Sequence, residues 1–393
     1  MKAIFKIALY LIVGGLAGYF IAMMIIALIG GEPITSAFYA NLGAKGIRLV
    51  YLVAVAFVAT VVGFMVQIII HEGGHLVAGL LTGYKFVSVR FLSYTLIRKD
   101  GRLQWRKFDL AGTGGQCLMA PPDKPIDQID TRWYNAGGVL ANILLTAIGI
   151  LLLVFVDMPS WLSIFWAVTC FMGFYVALIN GIPMKLGGVA NDGSNLFQLE
   201  KDLPTKQCFC TILESNALNQ EGVPFDKMPD RLFELPQPLD WENSMHVGVI
   251  FPAVTRMMAQ YQWEEAYQLL TEACSNKDVM MELYQHELEA LMTLVCIAMG
   301  REDEARQHYS KKVAKHVNLH ASTQSDKQLD AMAVVLALDK DRPAAEKMYH
   351  DLKANRDKYI HQSDVALSLE LMQWLLDNKG KTINTTNTTP YNL

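Results

Sequence analysis

His71-Glu72-Gly73-Gly74-His75 stands inside an apolar run from Leu49 to Leu81, and its reading decides the fold. Two histidines four apart lie on one face of a helix, at the separation that two ligands of a single zinc ion require. The glutamate between them reaches a water at that ion. This is a metalloprotease signature placed in a membrane. Ionisable side chains in a hydrophobic span are costly and are generally kept for function. The structural alternative is a helix whose polar residues only pair with neighbouring helices.

At 1.5 Å per residue, Leu49 to Leu81 would form a helix of roughly 50 Å against a hydrocarbon core of roughly 30 Å. The segment must therefore tilt, kink or project. Gly73 and Gly74 each cost roughly 1 kcal/mol in a helix interior, so they are expected to permit a kink or a close neighbour. Apolar residues Leu76 to Leu81 continue past His75. That places the metal below the membrane surface, where water reaches it through a protein-lined cavity. Upstream, Ile4 to Gly30 is almost uninterrupted apolar sequence, and about 20 such residues span a bilayer. This predicts a first transmembrane helix, with a cleaved signal peptide as the alternative. Glu32 to Arg48 reads as a short loop of mixed polarity.

Downstream, Phe86-Val87-Ser88-Val89-Arg90-Phe91 and Leu103-Gln104-Trp105 flank Asp100-Gly101, a two-residue turn signal, and predict a β-hairpin within Lys85 to Arg106. The glycine-rich stretch Ala111 to Cys117 includes Gly114 and Gly115 and lets a strand edge approach another backbone closely. A substrate unwound from its own helix would pair with such an edge; a plain loop is the alternative. Trp133 to Val156, with Asn142, and Trp161 to Ile182, with Asn180, are two further apolar spans. An asparagine in a membrane helix serves either as an interhelical hydrogen bonder or as a catalytic group. Asp192 follows the last span in a glycine-flexible turn and can fold back towards the two histidines as a carboxylate ligand; a simple turn is the other reading.

The 393 residues are 52% hydrophobic, with a net charge of -4, which suits a membrane protein carrying a soluble portion. No basic block, aromatic-basic ribbon or phosphate loop points to nucleic acid or nucleotide. The six cysteines form no paired C-x-x-C sets and read as reduced, mostly buried thiols, although Cys208-x-Cys210 is also compatible with redox or metal chemistry. Nine lysines and arginines crowd the segment from Lys85 to Arg132, and Lys2 and Lys6 precede the first span. The other loops are nearly free of them. The positive-inside rule then puts both termini and the hairpin in the cytoplasm.

From about Leu196 the sequence becomes soluble in character, with prolines marking a linker over 201–240. Tyr261-Gln262-Trp263-Glu264-Glu265-Ala266, Gly300-Arg301-Glu302-Asp303-Glu304-Ala305 and Lys340-Asp341-Arg342-Pro343-Ala344-Ala345 repeat at a period of 39 to 40 residues. Each opens an amphipathic helix, which predicts a helical-hairpin repeat domain over 241–380, resembling tetratricopeptide repeats with a longer period. A cytoplasmic protein or peptide is the partner such a platform would take; plain structural ballast is the alternative. His316 and His320 are also four apart, but no glutamate lies between them and lysines precede them, so they read as a solvated helix face. The polar tail 381–393 reads as disordered.

The membrane half, roughly residues 1–200, resembles the site-2 protease family of intramembrane zinc metalloproteases. Its H-E-x-x-H is matched by His71 to His75, and its membrane-associated hairpin and glycine-rich strand by Lys85 to Gly115. The family's G-P-x-A-N is matched by Gly138-Val139-Leu140-Ala141-Asn142, with Val139 in place of the proline. Its N-x-x-P followed by D-G is matched by Asn180-Gly181-Ile182-Pro183 and Asp192-Gly193, the aspartate standing 12 residues after the asparagine. The resemblance implies zinc held by His71, His75 and Asp192, Glu72 as general base, and Asn142 hydrogen-bonding the tetrahedral intermediate. Gly114, Gly115, Asn180 and Pro183 would hold the substrate, a transmembrane or membrane-anchored polypeptide.

The expected fold is mainly α: a polytopic membrane helix bundle of about four spans with a small membrane-associated β-hairpin, then a soluble helical repeat domain. The expected function is zinc-dependent regulated intramembrane proteolysis. A non-catalytic membrane scaffold that binds a partner through its repeats is the alternative, opposed by the intact Glu72. A transporter is disfavoured by the few spans and the lack of inverted repeats.

Overall fold

The computed structural model describes residues 36–99, 101–107 and 114–378. The expected first span at 4–30, Asp100 of the hairpin turn, the glycine-stretch residues 111–113 and the tail 381–393 lie outside the described residues. Among the described residues the chain is mainly helical with a small antiparallel sheet.

Helix α1 runs from Ser36 to Leu81, 46 residues. It begins inside the stretch read as a loop between Glu32 and Arg48. The nearest proline, Pro33, precedes it, and the helix-forming Ala37, Ala40, Leu42 and Ala44 outweigh Gly43 and Gly46. Helical hydrogen bonding continues through Gly73 and Gly74, and the space where a Cβ of Gly73 would sit is open. The close neighbour lies further on, at Gly79, where a Cβ would strike Met119 and Tyr134. Helices α2 (Arg132–Phe155) and α3 (Ser160–Gly181) occupy the two later expected spans. All three are long and apolar enough to cross a membrane.

The chain divides into two compact units, Met1–Gly74 with Gly138–Ile179, and His75–Gly137 with Asn180–Leu393. In the first, parts of α1, α2 and α3 pack through small residues. A Cβ at Gly173 of α3 would collide with the side chains of Gln67 on α1 and Thr146 on α2, so glycine there lets the three helices meet. Outward-facing residues such as Phe64, Leu144, Leu151 and Phe171 stay exposed, as expected of helices whose solvent is lipid.

The second unit carries a four-stranded antiparallel sheet in the order β3-β2-β1-β4, formed by β1 (Lys85–Phe91), β2 (Tyr94–Lys99), β3 (Arg102–Lys107) and β4 (Gly115–Ala120). Lys99 pairs with Arg102 across the expected two-residue turn, and Gly101 has φ +74°. The two stretches expected to pair, 86–91 and 103–105, are not neighbours: β2, not expected as a strand, lies between them and pairs with both, and the turn at Gly101 joins β2 to β3. The sheet's other tight turn has no glycine: Leu92 itself adopts φ +53°.

Two short strands, β5 (Lys185–Leu186) and β6 (Val189–Ala190), follow α3, and α4 (Asp192–Gln198) follows them. Helix α5 (Leu203–Glu221), capped by Asp202 and closed by Gly222 at φ +83°, occupies much of the stretch read as a linker. It folds because Phe209, Cys210, Leu213 and Ala217 share a core with Val87, Val89, Leu118 and Met119 of the sheet. Gln220 Nε2 also donates to the Val87 carbonyl at 3.1 Å.

Among the described residues nine helices follow: α6 (Ser244–Gly248), α7 (Ile250–Ala259), α8 (Trp263–Ser275), α9 (Glu282–Ala298), α10 (Glu302–His308), α11 (Lys311–His320), α12 (Ser325–Ala337), α13 (Arg342–Asn355) and α14 (Gln362–Asn378). The three similar sequence blocks open α8, α10 and α13. Each begins with a left-handed residue, Tyr261 at φ +57°, Gly300 at +76° and Lys340 at +60°. Each then buries an alanine completely, Ala266, Ala305 and Ala345. His316 is not on a solvated face. It is buried and meets Glu287 at 2.9 Å, in a cluster where the buried Lys327 pairs with Glu287, Asp326 and Asp330. The sequence pattern around His316 is polar because these charges answer one another inside the fold.

Candidate metal centre

His71, Glu72 and His75 all lie buried on α1, with the two histidines one turn apart on the same unbroken helix. Which ring nitrogen of each histidine carries the proton is decided by its neighbours.

For His71 the decision starts at a main-chain atom. Gln67, one turn earlier on α1, donates through Nε2 to the Thr169 carbonyl of α3 at 3.0 Å. That orientation turns Gln67 Oε1 towards Asn142 of α2, whose Nδ2 donates to it at 2.7 Å and to the Gln67 carbonyl at 2.9 Å. With its amide so fixed, Asn142 presents Oδ1 to His71 Nδ1 at 2.7 Å. An oxygen acceptor requires Nδ1 to hold the proton. Nε2 is left with the lone pair that a metal needs. Gln67 and Asn142 are both fully buried, so each link is shielded from water.

For His75 the path is shorter. Its Nδ1 meets the Tyr134 carbonyl at 2.7 Å, so here too Nδ1 is the donor. Tyr134 is fixed by its hydroxyl, which donates to the Cys117 carbonyl at 2.7 Å, and by stacking on Tyr84 at 4.9 Å between centroids. His75 Nε2 then faces Asp192 Oδ2 at 3.3 Å.

Asp192 reaches this position through the segment after α3. The β5–β6 hairpin turns at Gly187 and Gly188, with φ of +58° and +90°. Asn191 closes the loop: its backbone N–H donates to the Met184 carbonyl, its Oδ1 accepts from Met184 N and Ser194 N, and its Nδ2 donates to the Ile182 carbonyl at 2.7 Å. Gly193 lies so close to the Gly181 carbonyl that a Cβ would strike it. The residues that lengthen the Asn180-to-Asp192 interval therefore form a hairpin, and Asp192 returns to the end of α3.

The residues expected to hold substrate are spread more widely. Asn180 is half-buried in the last turn of α3, and Pro183 is exposed beyond it. Gly114 accepts from Leu92 N at 2.9 Å, and Gly115 opens β4 opposite Phe91 on an edge strand of the sheet. The buried Arg90 guanidinium donates to the carbonyls of Leu92 and Gly115 and ties the two turns together. Neither Gln67 nor Arg90 was expected to matter. Gln67 had a visible signal, a lone amide one helical turn before His71 in an apolar run; Arg90 had none beyond its basic charge.

Cys208 and Cys210 are buried on α5, and burial pushes both thiols up to about 12. They stay protonated near neutrality. Nearby, burial alone would raise the Glu200 carboxyl, but hydrogen bonds from Lys206 and Thr131 hold it below the usual range.

Within the second unit, His75 Nε2 and the Asp192 carboxylate oxygen stand 3.3 Å apart, close to the spacing of neighbouring ligands on a tetrahedral zinc ion, and within the first unit His71 has its Nδ1 engaged by Asn142. Compared with known family models, curated proteins and solved structures, the chain matches none.

Proposed function

We propose that the chain is an intramembrane zinc metalloprotease that hydrolyses a peptide bond in a transmembrane or membrane-anchored polypeptide. The observation that carries this reading is the fixed protonation of the two histidines, each with Nδ1 engaged at 2.7 Å, together with Asp192 beside His75 Nε2. A helix whose polar residues merely paired with its neighbours would not need both rings in the metal-binding tautomer.

His71, His75 and Asp192 would hold the ion. Bound there, zinc supplies Lewis acidity, which lowers the pKa of water to about 7 and polarises the scissile carbonyl. Glu72, between the histidines and buried with them, takes a proton from the attacking water and returns it to the departing amine. Asn142 has both ends of its amide committed, to His71 and to Gln67, which supports an orienting role beside the expected one on the intermediate. Burial of the site favours hydrolysis of a segment drawn away from lipid. The free edge of β4 at Gly114 and Gly115, with Asn180 and Pro183, would receive the extended substrate.

Three helices after matching left-handed residues support a tetratricopeptide-like repeat region, which would bind a cytoplasmic protein or peptide and govern access. The charge asymmetry supports cytoplasmic termini and, with 4–30, four spans. The deciding experiment is mass spectrometry of membrane fragments from cells carrying wild type or Glu72→Gln. Fragments lost in the variant while zinc content is kept support hydrolysis; identical fragment sets sink it.

A further inference from the structure

Within the second unit, a different set of metal-ligating side chains meets far from any H-E-x-x-H pattern. Cys274 lies in the last turn of α8, Glu289 in the middle of α9 and His308 at the end of α10. One ligand atom from each lies within 4.8 Å of the other two. No contiguous motif announces them, because each comes from a separate helix.

The donors are a thiol sulfur, an imidazole nitrogen and a carboxylate oxygen. Sulfur with imidazole selects a d-block ion such as zinc, where an all-oxygen set would suit magnesium or calcium. Around a tetrahedral zinc with bonds of about 2.0–2.3 Å, neighbouring ligand atoms stand roughly 3.5 Å apart. The cluster is therefore already near the required size. His308 Nδ1 and Glu289 Oε2, now hydrogen-bonded at 2.5 Å, need only open to admit the ion, while the sulfur closes in. Lys277 holds the other oxygen of Glu289 and orients the carboxylate, as outer partners do at metal sites. The side chains of Glu289 and His308 are 12% and 22% exposed, shielded yet open to an ion from solution.

We propose that Cys274, Glu289 and His308 bind a zinc ion, with water as the fourth ligand. On binding, the Cys274 S–H bond breaks and its proton leaves to solvent as the S–Zn bond forms. The proton that His308 Nδ1 gives to its hydrogen bond with Glu289 passes through solvent to Nε2, so that Nδ1 offers its lone pair to the ion, and Glu289 exchanges that hydrogen bond for the metal. No electron is transferred. The ion ties the ends of α8 and α10 to the middle of α9, and the assignment stands whether or not the membrane half is a protease.

The test uses the full chain in detergent, stripped of metal and titrated with cobalt(II). A thiolate ligand gives a near-ultraviolet sulfur-to-cobalt charge-transfer band, which a site of two histidines and an aspartate cannot produce. The band should saturate at one equivalent, disappear in Cys274→Ser, and be displaced by zinc. His308→Gln and Glu289→Gln keep the thiol and should each weaken cobalt binding at this band by at least about tenfold. Absence of the band, its persistence in Cys274→Ser, or unchanged cobalt affinity in both glutamine variants would overturn the assignment.

Discussion

Asn142 Oδ1 lies 2.7 Å from His71 Nδ1, and this contact is the last of three hydrogen bonds that begin at the Thr169 carbonyl. Because each link has one compatible amide orientation, altering the first should disturb the last. Gln67→Met keeps length and removes both polar ends. Zinc affinity or cleavage should fall by about 10–100-fold, the usual cost of losing an outer partner of a metal ligand. Nitrogen NMR of the His71 ring should show its Nδ1-protonated tautomer losing dominance. An unchanged ring signal with full activity would mean the relay does not set the tautomer.

Gly193 tests the hairpin's hold on Asp192. A Cβ there meets the Gly181 carbonyl, a backbone atom that cannot swing aside. Gly193→Ala should shift Asp192 away from His75 and reduce zinc occupancy, with the helical signal of the C-terminal region preserved. Asp192→Ala removes the ligand outright and should show the larger loss, while Glu72→Gln retains metal and loses turnover by about 10²-fold or more. Full zinc in Asp192→Ala would require another third ligand.

Gly300→Ala probes the corner before α10, where φ is +76°. An L-residue pays about 1–2 kcal/mol in the left-handed region. The alanine variant should lose about that much stability, read as a shift of the denaturant midpoint at constant slope. The outcome would be wrong if the midpoint did not move.

Asp364 carries a pH dependence. Burial, and after it the negative charge of Asp326, pushes its carboxyl from the ordinary range up to about 7. The folded chain therefore holds a proton there that the unfolded chain releases near pH 4. That contribution to stability is complete below about pH 4 and is lost as pH rises through about 7. Asp364→Asn cannot ionise and keeps an oxygen to accept from Asn219, whose Nδ2 donates at 2.9 Å. Its melting temperature relative to wild type should rise between about pH 5 and about pH 8. A constant difference across that range would contradict the shift.

Several elements were legible from the chain alone because they rest on local pattern. Uninterrupted apolar residues marked α2 and α3, Asp100-Gly101 marked a turn although not the strand that enters it, and the recurring alanines of three blocks turned out fully buried. What escaped depends on partners distant in sequence. Helix α5 looked like linker because its apolar residues are few and interleaved with polar ones. They become a face only against the strands near Val87 and Leu118. His316 looked solvated because its counter-charge, Glu287, lies in another helix. At the candidate site, spacing pointed to His71 and His75, and the family resemblance to Asp192. The role of Gln67 needed the Thr169 carbonyl to be in place.

Both histidine tautomers trace back to main-chain carbonyls, those of Thr169 and Tyr134. A carbonyl is present whatever side chain the position carries, so the protonation of these rings is a property of helix register more than of residue identity at those two places. A one-residue slip of α3 against α1 would alter the chemistry at His71 without replacing a single side chain. Conversely, many substitutions at Thr169 would leave that chemistry intact, provided that the helix keeps its place.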